Sequence, residues 1–297
     1  MGDKVTAPPV RVGMVIGQLS TGGAEGQLRQ LCEGLEPEVA RPTVYCLSGQ
    51  TEPYGPLLAS AGVPLRIVRG GRIGRVRALR AALAADRIDV VHAWLFIANA
   101  FAWAATRCGG PPLVTSARNC KRSGRALDAL NRRAFAASAA IIVNSRQVRD
   151  YVAHVYAAPS ERITVVYNAI DLDRFQPPAR ARATAAPRVV MVGRLVAQKN
   201  PLLFVAAAAA LRARMPGVRF QLVGDGPQRA EVEAAVRAAG LGDSLELAGE
   251  RHDVPALLHA ADLFWLTSDW EGPPNAVLEA LAAGLPVVAT DVGGPPS

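Results

Sequence analysis

Short apolar, β-branched runs alternate along this chain with longer stretches of helical periodicity. Residues 10–17 form one such run, closing on a glycine; Ser20-Thr21-Gly22-Gly23 follows, and then a helical pattern over 24–35. Strand, glycine turn and helix in that order open a nucleotide-binding α/β unit. Further runs predict strands at 43–47, 65–68, 89–93, 113–115, 140–144 and 163–166. Helical patterns lie between most of them, clearest over 73–85 and 126–137. The alternation predicts a parallel sheet covered on both faces.

Around 177–187 the text becomes a Pro/Arg/Ala/Thr segment without apolar periodicity, which reads as a linker. The rhythm then restarts, with strands expected at 189–192, 219–223, 245–247, 263–266 and 287–290. Helices are expected between them at 201–214, 229–239, 254–260 and 276–283. The expectation is an α/β chain of two Rossmann-like domains, 1–178 and 179–297. The last residues, 293–297, read as a turn, and a sixth strand with its helix would take about 30 more residues. The second domain is therefore expected to be incomplete at its C-terminus.

Length and composition fit this picture. A chain of 297 residues, half of them apolar, suffices for two cores. Cys32, Cys46, Cys108 and Cys120 form no CxxC pair, so neither a zinc site nor a disulfide framework is indicated. The start is polar and the first apolar run carries Arg11, which argues against a signal peptide; the apolar stretch 93–105 is shorter than the 18–20 or so residues of a membrane span. Met1-Gly2 to Thr6 fits a loose myristoylation pattern, read here as coincidence. These features predict a cytoplasmic protein, peripheral at most to the inner face of the cell membrane. The net charge of +8 is uneven: residues 1–178 hold 22 Lys/Arg against 13 Asp/Glu, and residues 179–297 hold 11 against 12. An anionic partner is expected on the first half.

The sharpest chemical signal is Glu271-Gly272-Pro273-Pro274-Asn275-Ala276-Val277-Leu278-Glu279, followed by an apolar helix and Gly284. Paired prolines preset a helix start and a glycine suits its end. Glu271 then lies in the loop before the helix and Glu279 inside it. Two carboxylates so placed can take hydrogen bonds from different hydroxyls of one ligand, beside free helix amides able to meet an anion. Spacing alone leaves open that Glu271 is a loop acid and Glu279 a solvated helix residue.

The string resembles the Glu-x7-Glu signature of family 4 of the GT-B-fold glycosyltransferases. Gly22-Gly23-Ala24-Glu25 resembles that family's N-terminal glycine loop. Val91-His92-Ala93, Asn144-Ser145 and Tyr167-Asn168-Ala169-Ile170-Asp171 resemble its first-domain landmarks. Val192-Gly193-Arg194-Leu195, Gln198-Lys199-Asn200, Val223-Gly224-Asp225-Gly226-Pro227 and Ala261-Asp262-Leu263 resemble its second-domain landmarks. The resemblance implies two Rossmann-like domains facing each other across a cleft, the first binding acceptor and the second a nucleotide sugar. It implies retaining transfer of a hexosyl group to a glycan or lipid-linked acceptor, in surface polysaccharide or glycolipid biosynthesis, with no metal and no other cofactor. Arg194 and Lys199 would meet the charge growing on the leaving diphosphate. Glu271 would hold sugar hydroxyls with the Gly272 amide near, and Glu279 the ribose hydroxyls; Gly193 and Asn275 would complete the donor side. The Gly22-Gly23 loop would approach the phosphates, since only glycines let backbone come so close. Base recognition is expected near Glu250 to Asp253. Asp225 reads as a turn residue.

One departure stands out. Many relatives carry a His after the strand at 113–115, where this chain has Ser116-Ala117-Arg118-Asn119. Arg118 cannot act as a base, because guanidinium stays protonated, but Arg118 or Asn119 could hold an acceptor phosphate or carboxylate. His92, at another strand end, is a further acceptor-side candidate, although a lone His is more often structural. The basic surplus gathers in two clusters: Arg118, Lys121, Arg122, Arg125, Arg132 and Arg133; and Arg66, Arg69, Arg72, Arg75, Arg77 and Arg80. They predict attraction to an anionic membrane surface or a phosphorylated lipid.

Rival readings fare worse. Asp171-Leu172-Asp173 mimics a metal-holding triplet but sits in the family-like context. A nucleotide-sugar 2-epimerase of the same architecture would turn over donor without acceptor, and a folded but inactive fragment is a further alternative. A dehydrogenase lacks its GxGxxG after the first strand. Nucleic-acid binding, prompted by the pI near 9.8, lacks a zinc finger, a basic heptad helix or an aromatic RNA-binding strand, so no nucleic-acid partner is expected.

Overall fold

A computed structural model describes residues 8–120, 122–177 and 186–292. The N-terminal Met-Gly pattern, Lys121, most of the 177–187 segment and the 293–297 turn lie outside the described residues. The chain forms two compact units that divide between Ala169 and Ile170.

The first unit runs β1 (Val10–Ile16), α1 (Gly23–Gly34), β2 (Ala40–Cys46), α2 (Tyr54–Ser60), β3 (Leu65–Ile67), α3 (Arg72–Ala85), β4 (Val90–Trp94), α4 (Leu95–Thr106), β5 (Leu113–Ala117), α5 (Arg125–Ala137), β6 (Ala140–Val143), α6 (Arg146–Tyr156) and β7 (Ile163–Val165). Its sheet is wholly parallel in the order β3-β2-β1-β4-β5-β6-β7. Parallel strands need crossovers, and the helices supply them while covering both faces. Val15, Val91, Ala93, Leu79 and Leu83 pack with α4 on one face; Met14, Ile16, Leu28, Val44 and Leu58 pack on the other. Helix α4 follows β4 without a spacer, so the chain turns through Leu95 in the left-handed region at φ 72°. That conformation costs a leucine about 1–2 kcal/mol. The helix repays it by burying Phe96, Ala98, Ala102 and Ala105, and Asn99 clasps the Ser116 backbone of β5 on both its amide and carbonyl sides (3.3 and 3.0 Å).

The second unit runs β8 (Arg188–Val192), α7 (Pro201–Arg214), β9 (Arg219–Val223), α8 (Arg229–Ala238), β10 (Leu245–Gly249), α9 (Val254–His259), β11 (Leu263–Leu266), α10 (Asn275–Ala282) and β12 (Val287–Ala289). Its described sheet is also parallel, in the order β10-β9-β8-β11-β12. Phe204, Phe220 and Trp265 meet edge-to-face or tilted at 5.7–6.3 Å between centroids in its core.

The division at 169/170 precedes the expected boundary at 178/179, for a visible reason. Gln27 of α1 accepts from the Ala169 amide (2.8 Å) and donates to its carbonyl (2.7 Å), pinning that residue to the first unit. Immediately afterwards Ile170 and Phe175 pack into the second core, and Arg174 donates to the His252 carbonyl. Residues 170–177 are therefore built into the second unit.

Candidate functional site

In a parallel sheet with crossovers on both faces, the strand order reverses once, and the carboxyl ends of the two strands there diverge to leave a crevice. In the second unit that point lies between β8 and β11. The loop leaving β8 carries Gly193, Arg194, Gln198, Lys199 and Asn200; the loop leaving β11 carries Thr267, Ser268, Asp269, Trp270, Glu271 and Gly272.

The two loops are laced together. The Lys199 ammonium pairs with Glu271 Oε1, which also accepts from Ser268 Oγ at 2.6 Å; Gln198 Nε2 donates to Oε2 at 3.3 Å. The side chains of Lys199 and Glu271 are 19% and 8% exposed. Thr267 Oγ1 lies 3.2 and 3.0 Å from the carbonyls of Lys199 and Asn200, and the Asp269 amide donates to the Gln198 carbonyl at 2.9 Å. Asn200 starts α7 from the left-handed region, its side-chain oxygen capping the Leu203 amide at 3.1 Å while its Nδ2 reaches Asp269 at 2.8 Å. Of the residues singled out by sequence, Lys199 and Glu271 are thus in direct contact. Gly193 lies under the Lys199 stem, where an added Cβ would stand 3.6 Å from Lys199 Cδ. Arg194 is exposed and has no side-chain hydrogen bond or ion pair among the described residues. Ser268, Thr267 and Gln198 escaped sequence reasoning as orienting groups; the Gln198-Lys199-Asn200 string was visible, but its partners lie about 70 residues away.

Beneath Arg194, the turn after β9 comes very close. A Cβ on Gly224, whose φ is 135°, would stand 2.0 Å from the Gly193 carbonyl oxygen, and one on Gly226 2.5 Å from that of Leu195. Only glycine permits such an approach. Asp225 serves this turn: its Oδ1 accepts from the Gly226 amide at 2.7 Å and its other oxygen pairs with Arg229 at 3.2 Å. Glu271 and Gly272 precede α10, and Asn275 is its first residue. Glu279 is half-buried in α10, and burial raises its carboxyl above the usual range, with Arg174 acting in the opposite direction. In the segment around 250–253, Arg251 forks onto Asp253 at 2.6 and 2.8 Å. Asp171 Oδ1 is taken up by the amides of Asp173 and Arg174 (3.1 and 3.0 Å), a turn geometry. No group of three His, Cys, Asp or Glu among the described residues is placed to hold a metal ion.

The first unit reverses its strand order between β1 and β4. Gly22 and Gly23 lie after β1, at the start of α1, with the buried Glu25 folded back so tightly that a Cβ on Gly22 would stand 2.3 Å from its carboxylate. His92 is buried within β4, its ring 5.0 Å from Trp94, and its pKa is driven down to about 3, first by burial and then by Arg118. It is a neutral imidazole. Arg118, just past β5, lies over Trp94 with 4.1 Å from guanidinium carbon to ring centre, and Nη1 donates to Asn168 at 2.8 Å. His92 and Arg118 are therefore together, with Trp94 and Asn168 as unforeseen partners; Asn119 is half-buried beside them in sequence. Arg118, counted from sequence in the first basic cluster, is half-buried and engaged with Trp94 and Asn168, and burial lowers its pKa to about 10. Other members of the clusters are engaged too, Arg66 with Asp86, Arg122 with Asp128 and Arg80 with the Ala105 carbonyl.

The model of Glycosyltransferase Family 4 matches residues 21–174, and that of Glycosyl transferases group 1 matches residues 186–297. Among curated proteins, the chain is 29% identical over 235 residues to the Escherichia coli UDP-Gal:alpha-D-GlcNAc-diphosphoundecaprenol alpha-1,3-galactosyltransferase, covering 70% of this chain and 59% of that one. It is 32% identical over 250 residues to the D-inositol 3-phosphate glycosyltransferase of Salinispora arenicola (strain CNS-205), covering 72% and 56%. The chain thus spans somewhat over half the length of these relatives. Among solved structures, Anabaena Alr3699/HepE in complex with UDP-glucose superposes at a TM-score of 0.83 with 20% identity, covering 96% of this chain and 81% of that one. The sucrose-phosphate synthase of Thermosynechococcus elongatus does so at 0.81 with 20% identity, covering 96% and 82%. That likeness shows the GT-B fold, and with the family match over most of the length, the chain belongs to glycosyltransferase family 4.

Proposed function

We propose that this protein transfers a hexosyl group from a nucleotide-diphosphate sugar to a glycan or lipid-linked acceptor in polysaccharide or glycolipid biosynthesis, with retention at the anomeric carbon. The observation that carries the reading is the Lys199–Glu271 pair at the switch point of the second unit, flanked by an unpaired Arg194 and by Glu279 in the following helix. Cleavage of the sugar–phosphate bond builds negative charge on the leaving diphosphate, and Arg194 and Lys199 supply two cations to meet it without a divalent metal. Glu271, held by Ser268 and Gln198, is fixed to accept sugar hydroxyls; Glu279 accepts from ribose hydroxyls. In the step proposed, the acceptor oxygen bonds to the anomeric carbon on the face the diphosphate leaves. The carbon–phosphate oxygen bond breaks, and the acceptor proton passes to a phosphate oxygen.

Relatives support both substrates. One carries UDP-Gal and a diphosphoundecaprenol acceptor in its name, another D-inositol 3-phosphate, and Alr3699/HepE was captured with UDP-glucose. A phosphorylated acceptor also suits a cytoplasmic enzyme working against the inner face of the membrane. On the first unit, exposed Ile73, Ile97 and Leu130 stand on α3, α4 and α5, consecutive packed helices that also expose Arg72, Arg77, Arg125, Arg132 and Arg133. Helices that expose both apolar side chains and cations suit an anionic bilayer surface.

The test is transfer from a nucleotide-sugar panel to undecaprenyl-diphosphate-linked sugars in EDTA, with the product anomer read by NMR. Retention without added metal is expected. Inversion, or activity restored only by a divalent ion, contradicts the proposal, and donor conversion without acceptor would point to the epimerase.

A further inference from the structure

Arg118 is an electrostatic anomaly. Its guanidinium is half-buried and lies over an indole, yet among the described residues no Asp or Glu forms an ion pair with it, and its side chain donates to the neutral Asn168 amide. Burial alone moves its pKa, and it moves it downward, as expected for a cation that nothing anionic offsets. Around it other polar atoms are buried and unsatisfied: its own Nε, the Trp94 indole nitrogen, His92 Nε2 and Asn144 Oδ1. Burying an uncompensated charge beside unmet hydrogen-bonding groups is costly, and a fold seldom keeps such a charge for its own sake. The position sits on the carboxyl side of β5, near the strand-order reversal of the first sheet, where ligands of such sheets bind.

We infer that Arg118, clamped between the Trp94 face and the Asn168 amide, is the receptor for a phosphate of the acceptor. The inference rests on reading the first unit as the acceptor-binding domain. The Trp94 ring and the Asn168 bond hold the guanidinium in place, so that its remaining N–H donors are preset for a tetrahedral oxyanion at little entropic cost. Neutral His92 beneath it adds no competing cation and carries no negative charge of its own. Phosphate on a lipid carrier and phosphate on a soluble sugar present the same chemistry to this fork.

Calorimetric titration with inorganic pyrophosphate, in excess UDP to occupy the diphosphate site of the second unit, tests the inference. The unmodified protein is expected to bind pyrophosphate, Arg118→Gln at least about tenfold more weakly, and Arg118→Lys in between, since Lys keeps charge but not the fork. Equal binding by the unmodified protein and Arg118→Gln, or none by the unmodified protein, overturns it. Thermal melting separates ligand recognition from scaffolding: without ligand, Arg118→Gln should melt no lower than the unmodified protein, whereas a structural arginine would lower the midpoint. Parallel titrations with decyl diphosphate and glucose 1-phosphate identify the source, tighter decyl diphosphate marking a lipid carrier and equal binding a soluble sugar phosphate. Should UDP itself fail to bind, the donor reading fails while the Arg118→Gln contrast with pyrophosphate still decides this one.

Discussion

At the scale of single residues, burial sets two opposite titration behaviours. His92 has a folded pKa of about 3 against about 6.5 in an unfolded chain. Between those values the unfolded chain binds a proton that the fold refuses, so stability is complete above the upper value and falls as pH is lowered through the window. The slope attributable to one such group approaches about 1.4 kcal/mol per pH unit. His92→Phe is expected to flatten the pH dependence of urea unfolding between about 6.5 and 4.5; an unaltered slope would show the imidazole not to be the buried neutral group described. Glu279 behaves the other way, its folded value raised by burial, so its contribution is present below the usual carboxylate range and lost as pH rises through the raised value. In the proposed donor complex, ribose hydroxyls donating to it would favour the ionised form. Nucleotide binding just above the usual carboxylate range should therefore release protons, seen as a dependence of calorimetric heat on buffer ionisation enthalpy, and Glu279→Gln should abolish the release. The residues proposed for the donor site were legible in sequence because a motif marked them: Lys199, Glu271 and Glu279. Ser268, Trp94 and Asn168 were not: their roles come from contacts across strands, and no periodicity encodes which neutral side chain ends beside a guanidinium 50 residues away.

At the scale of elements, the βα rhythm was legible because parallel strands buried on both faces read as unbroken apolar runs; each strand expected from the sequence is present, with ends shifted by a few residues at most. Helices were less uniformly visible. α4 is apolar nearly all round and begins directly after the last residue of a strand, so a 3.6-residue period had no polar face to stand against. α2 is only seven residues long with Gly and Pro in its first turn. α6 did carry a readable signal, Ser145 capping the Val148 amide at 3.1 Å and Val148, Val152 and Tyr156 on one buried stripe. The loops of the site depend on glycine where backbone meets backbone. Gly224→Ala combines a forbidden φ with a clash against the Gly193 carbonyl, and is expected to cost about 3 kcal/mol or more in urea unfolding. Gly217→Ala, with open space and ordinary backbone, should stay within about 0.5 kcal/mol. Equal effects at the two positions would mean the turn after β9 does not support the Gly193-Arg194 loop as described.

At the scale of the molecule, charge and chemistry divide between the units. The second unit carries the proposed donor constellation on a nearly neutral body, and the first carries the positive surplus, part of it engaged by internal partners such as Asp86 and Asp128. The surplus left on α3 and α5 predicts co-sedimentation with vesicles rich in anionic phospholipid, weakening as salt shortens the Debye length below about 10 Å. Replacing Arg125, Arg132 and Arg133 by Gln should reduce it, and indifference to lipid charge would remove membrane attraction from the account. The central claim, a nucleotide-diphosphate site at the switch point of the second unit, is tested most directly by thermal unfolding with UDP, GDP and ADP in EDTA. A ligand bound only by the folded state at a hundredfold its Kd adds about 2.7 kcal/mol of apparent stability. The account predicts a clear upward shift for one nucleotide, lost in Glu279→Ala and weakened in Lys199→Ala. A shift unchanged in both variants, or one that appears only when a divalent metal replaces the chelator, would contradict it.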